Sequence, residues 1–445
     1  MTTHHRRVWA LALPIILSNL SVPLLGAVDT AVMGHLDSPV YIGAVAVGAL
    51  VFSYIYWGFG FLRMGTTGPT AQAIGAGDGA EARAVLGRAM LIGLSVGAVL
   101  WLLQAPILAL AMGLLDASDE VETLAAEYVR IRIWSAPAAL VQYAQIGWLL
   151  GLGRARAVMI QQIGANALNI VLNLLFVFGL GMTVEGVALA TVIAEYAGVG
   201  IGFLLMAPAL RTLGGRWDMA RLRDRARLKR LIAVNGDIFI RTLCLLSAFA
   251  WFTARGAASG DVVLAANAVL LNFLTFAAFG LDGFAHAAET LVGGAVGARD
   301  RATLRAAVRT STIWALGTAV VMAGAYVLLG DVLVAVLTGL PEVREAAAGY
   351  MLWAALMPLV SVWGFQFDGI YLGATESRPL RNMMILCLGA YLLMTWALVP
   401  LWGNHGLWAA FMAFMGLRGL TLAVLYPALE RRVTGRADTS FSTNS

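Results

Sequence analysis

The apolar residues of this 445-residue chain come in runs too long for a buried core. Val171 to Leu180, Val262 to Leu281 and Leu386 to Leu401 are near-continuous. Crossing a bilayer takes about 20 predominantly apolar residues, and in hydrocarbon each backbone polar group must be satisfied within its own segment. Long apolar runs parted by short polar breaks therefore specify a bundle of membrane helices. Charge agrees: only 12% of residues are charged, against about 25% in ordinary soluble domains. The fold class expected is an all-α membrane protein.

Spans are expected at 8–36, 41–75, 84–113, 121–151, 155–180 and 184–208, then 228–256, 262–296, 302–329, 343–374, 380–400 and 404–427. The first segment reads as a span rather than a cleavable signal, since its apolar stretch outruns an ordinary signal core. Basic residues alternate with the loops. Arg6, Arg7, Arg83, Arg88, Arg154, Arg156, the run from Arg211 to Arg230, Arg299 to Arg309, Arg378, Arg381, Arg431, Arg432 and Arg436 fall on one side. Loops on the other side are acidic or neutral, with Asp116, Asp119, Glu120, Glu122, Asp331, Glu342 and Glu345. By the positive-inside rule both termini and the central linker are cytoplasmic. This distribution accounts for the net charge of +5 without a nucleic-acid partner.

Shifting the chain on itself by 222 residues superposes Gly34 on Gly256 and Ala46 on Ala268. It also superposes Gly75, Ala76 and Asp78 on Gly297, Ala298 and Asp300, Tyr128 on Tyr350, Gly151 on Gly373 and Arg156 on Arg378. Each half then holds six spans, an even number, so both enter the membrane the same way round. Such a parallel repeat is typical of transporters. The expected organisation is an N-lobe at 1–208, a basic linker at 209–230, a C-lobe at 231–430 and a tail at 431–445.

An acid in a membrane helix costs about 2.5–3.5 kcal/mol and is a functional suspect. Asp29 stands far along span one with no basic residue within a turn, and Pro14 should bend the same helix. A carboxylate desolvated among helices can exchange a proton as its surroundings change. Asn166, Asn169 and Asn173 share one face of span five, and Thr191 lies in span six; helix-packing glue competes with function for all four. Asp282, His286 and Glu289 share a face of span eight, and Asp368 lies in span ten. Asp237 and Arg241, at i and i+4, are expected to pair structurally, with Arg63 and Arg255 as further counter-ions. Cys244 and Cys387 read as packing residues, and His4 and His5 lack partners for a metal. Gly75, Gly77 and Gly79 follow a membrane helix and lack a Gly-Lys-Ser/Thr ending, so they read as turn residues rather than a phosphate loop.

The stretch Leu13-Pro14-Ile15-Ile16-Leu17-Ser18-Asn19, followed by Val28-Asp29-Thr30-Ala31-Val32-Met33-Gly34-His35-Leu36, resembles the opening of MATE (multidrug and toxic compound extrusion) transporters, nearest the DinF branch. Arg63 to Gly68, Asn235-Gly236-Asp237-Ile238 with Arg241, Leu281 to Ala285, and Asp368-Gly369 are similar too. The resemblance implies two six-helix lobes around a V-shaped cavity, exporting organic, often cationic, compounds against inward H⁺ or Na⁺ flow. It implies that Asp29 is the coupling site, with an Asn-x-x-x-Asp pair on span five, Thr191 on span six, and a bend at Pro14. Asn169 matches the pair's first member, but Asn173 stands where many relatives carry Asp. Asp29 is then the only acid of the N-lobe cluster, which favours a proton over Na⁺. Asp368 matches a C-lobe acid of another branch.

The resulting expectation is a proton-driven secondary exporter acting as a monomer in a bacterial inner membrane, with a small organic substrate and no cofactor or metal. Asp282, His286, Glu289 and Asp368 would line the C-lobe cavity or ion pathway. A flippase for a lipid or lipid-linked saccharide is the alternative, ranked lower because acids outnumber arginines at membrane depth. An intramembrane enzyme would need a catalytic set that is not legible, and a two-lobed repeat suits alternating access better than a channel.

Overall fold

The computed structural model describes residues 3–36, 38–114 and 118–435. Asp116, Arg436 and the rest of the tail beyond 435 lie outside the described residues. The elements in order are α1 Thr3–Gly34, α2 Pro39–Phe59, α3 Phe61–Gly75, α4 Gly79–Leu102, α5 Gln104–Leu114, α6 Asp119–Arg132 and α7 Ala136–Gly151. Then come α8 Ala155–Leu174, α9 Val184–Thr212, the single turn α10 Met219–Leu222, α11 Arg225–Ala257, α12 Asp261–Gly297, α13 Arg301–Leu337, α14 Pro341–Gly373 and α15 Ser377–Gly435.

Among the described residues, ten helical stretches are long and apolar enough to cross a membrane. One of them is α2 running on into α3, and the last, α15, is two helices joined at Gly403, whose φ of 55° breaks the helical path. The segment 119–151, made of α6, a tight turn at Ile133–Ser135 and α7, completes the twelve spans. Leu328, Val336 and Leu204 are 81%, 79% and 75% exposed. Apolar side chains this bare on long helices belong against lipid tails.

Helix starts follow short-range chemistry. Ser38 caps α2 with Pro39 in the first turn, and Asp78 caps α4 by accepting from the Glu81 amide at 3.0 Å. Ser118 caps α6, whose first turn carries Asp119, Glu120 and Glu122, charges that suit the positive end of the helix dipole.

The chain divides into two compact units. One is Leu17–Leu231; the other takes the α1 residues as far as Ile16 together with the chain from Ile232 onward. The boundary in α1 falls two residues after Pro14. In the C-terminal unit, Gly283 of α12 leaves room for the Ala12 carbonyl and the Ile16 side chain, where a Cβ would collide. In the N-terminal unit, the linker is held down by Arg221 on Asp78 (2.7 Å) and by Arg227 on Glu81, while the Arg83 guanidinium donates to the Leu210 and Leu213 carbonyls at the end of α9.

The 222-residue repeat is written into the backbone. Positive φ occurs at Gly77 (71°) and Gly153 (72°) and, one repeat later, at Arg299 (56°) and Thr375 (55°). The Asp78 amide donates to Ala73 O as that of Asp300 does to Ala295 O, both at 2.9 Å. Gly147 and Gly151 of α7 lie against the carbonyls of Arg63 and Thr67 on α3; Gly369 and Gly373 of α14 lie against those of Ala285 and Glu289 on α12. Both members of each contact are displaced by 222. The glycine-to-carbonyl approach thus recurs in each half.

Candidate functional site: a polar chain on Asp29

Four of the residues singled out in the N-terminal half form one hydrogen-bonded chain. Asn173 Nδ2 donates to Asp29 Oδ1 at 2.6 Å and to Asn169 Oδ1 at 2.8 Å. Asn169 Nδ2 donates to Thr191 Oγ1 at 3.0 Å, and the Thr191 hydroxyl donates to the Val187 carbonyl. Asn169, Asn173 and Thr191 are buried and Asp29 is half-buried. The geometry follows from helix periodicity: Asn169 and Asn173 sit one turn apart on α8 and present their amides to α1 and α9. Just past Asn173 the helix widens, with the Leu180 amide reaching back five residues to Leu175 O at 3.0 Å. Single π turns of this kind are frequent at functional sites. Asn166, on the same face, donates to the Ser21 hydroxyl at 2.8 Å. Pro14 is buried, and α1 stays helical through it.

The same unit holds a charged group that sequence reading passed over. Arg132, at the end of α6, donates to Tyr128 Oη at 2.6 Å and lies over the Phe52 ring at 4.8 Å. Its charge reaches both Asp29 and Glu195 of α9. Glu195 was missed as well, although it stands one turn after Thr191 in the apolar context Val192-Ile193-Ala194. Gln142 Nε2 donates to Glu195 Oε2 at 2.6 Å and to the Glu195 carbonyl at 2.7 Å. An acid spaced i+4 from a suspect hydroxyl was the available signal.

The C-terminal unit corrects one expectation. Asp237 and Arg241 do not pair with each other. Arg241 and Arg418 both converge on Asp368, Arg418 at 2.8 Å, and all three side chains are buried. Asp237 instead accepts from Arg381 and from the Ser377 hydroxyl at 2.7 Å. Residues four apart on α11 are close enough to pair, but each finds its partner on another helix, Arg241 on α14 and Asp237 on α15. Asp368 is therefore clamped between two guanidiniums. On α12, His286 Nδ1 lies 3.1 Å from Glu289, which is fully buried, and Asp282 is half-buried one turn earlier.

Comparison with known proteins places these residues in context. The chain matches the MatE family over residues 14–175 and 238–397. It is 44% identical to DNA damage-inducible protein F of Escherichia coli (strain K12), covering 96% of this chain and 93% of that protein. It is 29% identical to multidrug resistance protein PmpM of Pseudomonas aeruginosa, covering 93% and 87%. Among solved structures it is similar to an outward-facing multidrug resistance MATE transporter, with a TM-score of 0.86, 18% identity and coverage of 97% and 96%. It is similar also to a MATE protein in its bent conformation, at 0.85, 19% and 99% of each chain.

Proposed function

This chain belongs to the MatE family, and from that premise we propose that it is a secondary active exporter of organic, cationic or amphipathic compounds. Inward proton flow drives it by alternating access in a bacterial inner membrane. The relatives named as multidrug resistance proteins support the substrate class. One observation carries the coupling reading: among the described residues, the Asp29 carboxylate is held by the neutral amide of Asn173, not by an ion-pair partner at contact distance. Among the described residues, Asn173 Oδ1 is buried without a partner. It is the acceptor that the hydroxyl of a protonated Asp29 would use, so both protonation states find hydrogen bonds.

In the proposed cycle, ionised Asp29 favours a cationic substrate, and a proton from the outer side displaces it. α1 contributes residues to both compact units, with Pro14 beside the division, which supports a role for that proline in relaying protonation to a change in helix shape. Coupling requires proton and substrate to bind the two conformations differentially. The test is ethidium uptake by inside-out vesicles under a pH or a Na⁺ gradient. Uptake driven by the pH gradient and abolished by Asp29→Asn is expected. Full uptake by folded Asp29→Asn protein would sink the coupling site, and no uptake under either gradient would move the reading to a lipid flippase.

A further inference from the structure

Arg255 of the C-terminal unit, read from the sequence as a counter-ion, meets a ring instead of an acid. Its guanidinium lies over the Trp251 ring, 4.8 Å from the centroid and one turn back on α11. Arg255 Nε and Trp251 Nε1 are both buried, and neither has a hydrogen-bond partner among the described residues. No carboxylate pairs with Arg255 among those residues either. Two buried donors beside a cation call for a negatively charged acceptor, since a buried polar group left unsatisfied is costly.

Both residues line a cavity of about 390 Å³ between α11 and the first half of α15. Ser247, Trp251 and Arg255 form one wall; Leu388, Leu392 and Trp396 form the other, each set spaced by single turns. The two helices run side by side in the same direction. Asp237 of α11 is held by Ser377 and Arg381 at the start of α15, and farther along both helices Ser247 and Leu388 share the cavity. Ser247 and Leu388 therefore mark one end of it, Arg255 and Trp396 the other. Eight residues of helix rise about 12 Å, so this is an apolar slot of that length ending at a guanidinium. Ser247, Leu392 and Trp396 are exposed, which opens the slot on the surface that apolar membrane helices turn to lipid. Arg255 stands two residues before the end of α11, where Trp and Arg side chains suit the membrane boundary.

We propose that this slot binds one anionic phospholipid, of the phosphatidylglycerol type, whose headgroup carries no ammonium. Its phosphodiester accepts from Arg255 Nε and Trp251 Nε1, and an acyl chain lies along the slot past Leu392 toward Ser247 and Leu388. With the linker cytoplasmic, as the loop charges imply, the lipid belongs to the outer leaflet. Charge complementarity selects this occupant. A zwitterionic lipid brings its own cation beside Arg255, a cationic substrate is repelled by it, and a small water-soluble anion leaves the apolar walls uncovered. The site does not depend on the proton-coupling reading.

Native mass spectrometry of the full-length protein purified in detergent tests it, with dioleoylphosphatidylglycerol or dioleoylphosphatidylethanolamine added in increasing amounts. The wild type should retain one phosphatidylglycerol at concentrations where phosphatidylethanolamine is lost. Arg255→Gln should weaken that retention about 10-fold, the loss expected for hydrogen bonds to a charged group. Trp251→Phe keeps the ring, removes the N–H and should weaken it by less. Ser247→Phe fills the far end of the slot and leaves both donors in place. It should weaken the dioleoyl lipid while sparing dihexanoylphosphatidylglycerol, whose chains are too short to reach. Equal retention of the two dioleoyl lipids by the wild type overturns the proposal, as does phosphatidylglycerol binding unchanged by Arg255→Gln. Wild-type retention of the dihexanoyl lipid as tight as that of the dioleoyl lipid would reveal a headgroup site alone and overturn the place of the chain. If Arg255→Gln does not fold, the other two variants decide: undiminished retention of the dioleoyl lipid in both overturns the proposal.

Discussion

Asp29 and Asp368 are both acids in membrane helices, and their surroundings are opposite. Asp29 is half-buried and held by an amide; Asp368 is buried and gripped by Arg241 and Arg418. The contrast extends to the repeat. Moving 222 residues on from Asp29, Asn169 and Asn173 gives Trp251, Tyr391 and Thr395. Tyr391 packs against the Phe414 ring at 5.4 Å within a cluster that includes Phe252, Trp408 and Phe411. The two halves share turns and glycine contacts while filling equivalent helices with different chemistry. Backbone requirements are geometric and persist in both copies, whereas side chains pointing inward are free to diverge as long as their polar atoms are satisfied.

The widest break in this comparison comes from neutralising each acid. Asp29→Asn should abolish pH-driven ethidium transport while leaving the melting temperature in detergent near wild type. Asp368→Asn should instead unfold the protein more readily, since two buried guanidiniums lose their carboxylate, at a cost of about 3–5 kcal/mol. A well-folded, inactive Asp368→Asn protein would show that the clamp is a working site rather than a structural one.

Next in size is a test of what the halves have in common. Gly147→Ala and Gly369→Ala each push a methyl into a facing carbonyl and should cost about 1–3 kcal/mol, measured by thermal denaturation. Unequal losses would mean that one half tolerates helix separation better than the other. A smaller contrast is expected from Asn173→Ala and Thr395→Ala. The first strips Asp29 of its donor and should slow transport, as hydrogen bonds to charged groups are worth about 1.5–3 kcal/mol. The second removes only a bond from the Thr395 hydroxyl to its own helix at Tyr391 O and should leave transport unchanged.

The smallest effect concerns the caps outside the membrane. The Thr303 hydroxyl and amide donate to Asp300 and hold its carboxyl below the usual carboxylate range. A depressed folded-state value means that the cap's contribution is present above the ordinary carboxylate range and lost as pH falls through the folded value. Asp300→Ala should thus lower the melting temperature slightly at neutral pH and not at all in strong acid.

Much of this was legible in residue order. Run length and basic-loop alternation specified the spans, because hydrocarbon leaves helices as the only way to satisfy the backbone. Asn169 and Asn173 were legible by spacing, because residues one turn apart share a face, whereas Thr191 stood out as a hydroxyl in an apolar span. The pairing of Asp237 and Arg241 was misread for a related reason: spacing along one helix says which residues can meet, not which partner on another helix competes for them. Arg132 and Glu195 escaped notice because each looks unremarkable in its own segment and gains meaning only from what faces it.

Residue order alone settled the membrane class, the twelve spans and the parallel repeat, since all three depend on local periodicity, composition and the cost of exposed peptide groups to lipid. The tertiary structure decided which charges neutralise one another. That choice depends on distances between helices far apart in the chain, and a difference of a few ångströms in a low-dielectric interior separates an acid clamped by two guanidiniums, Asp368, from one held by an amide, Asp29.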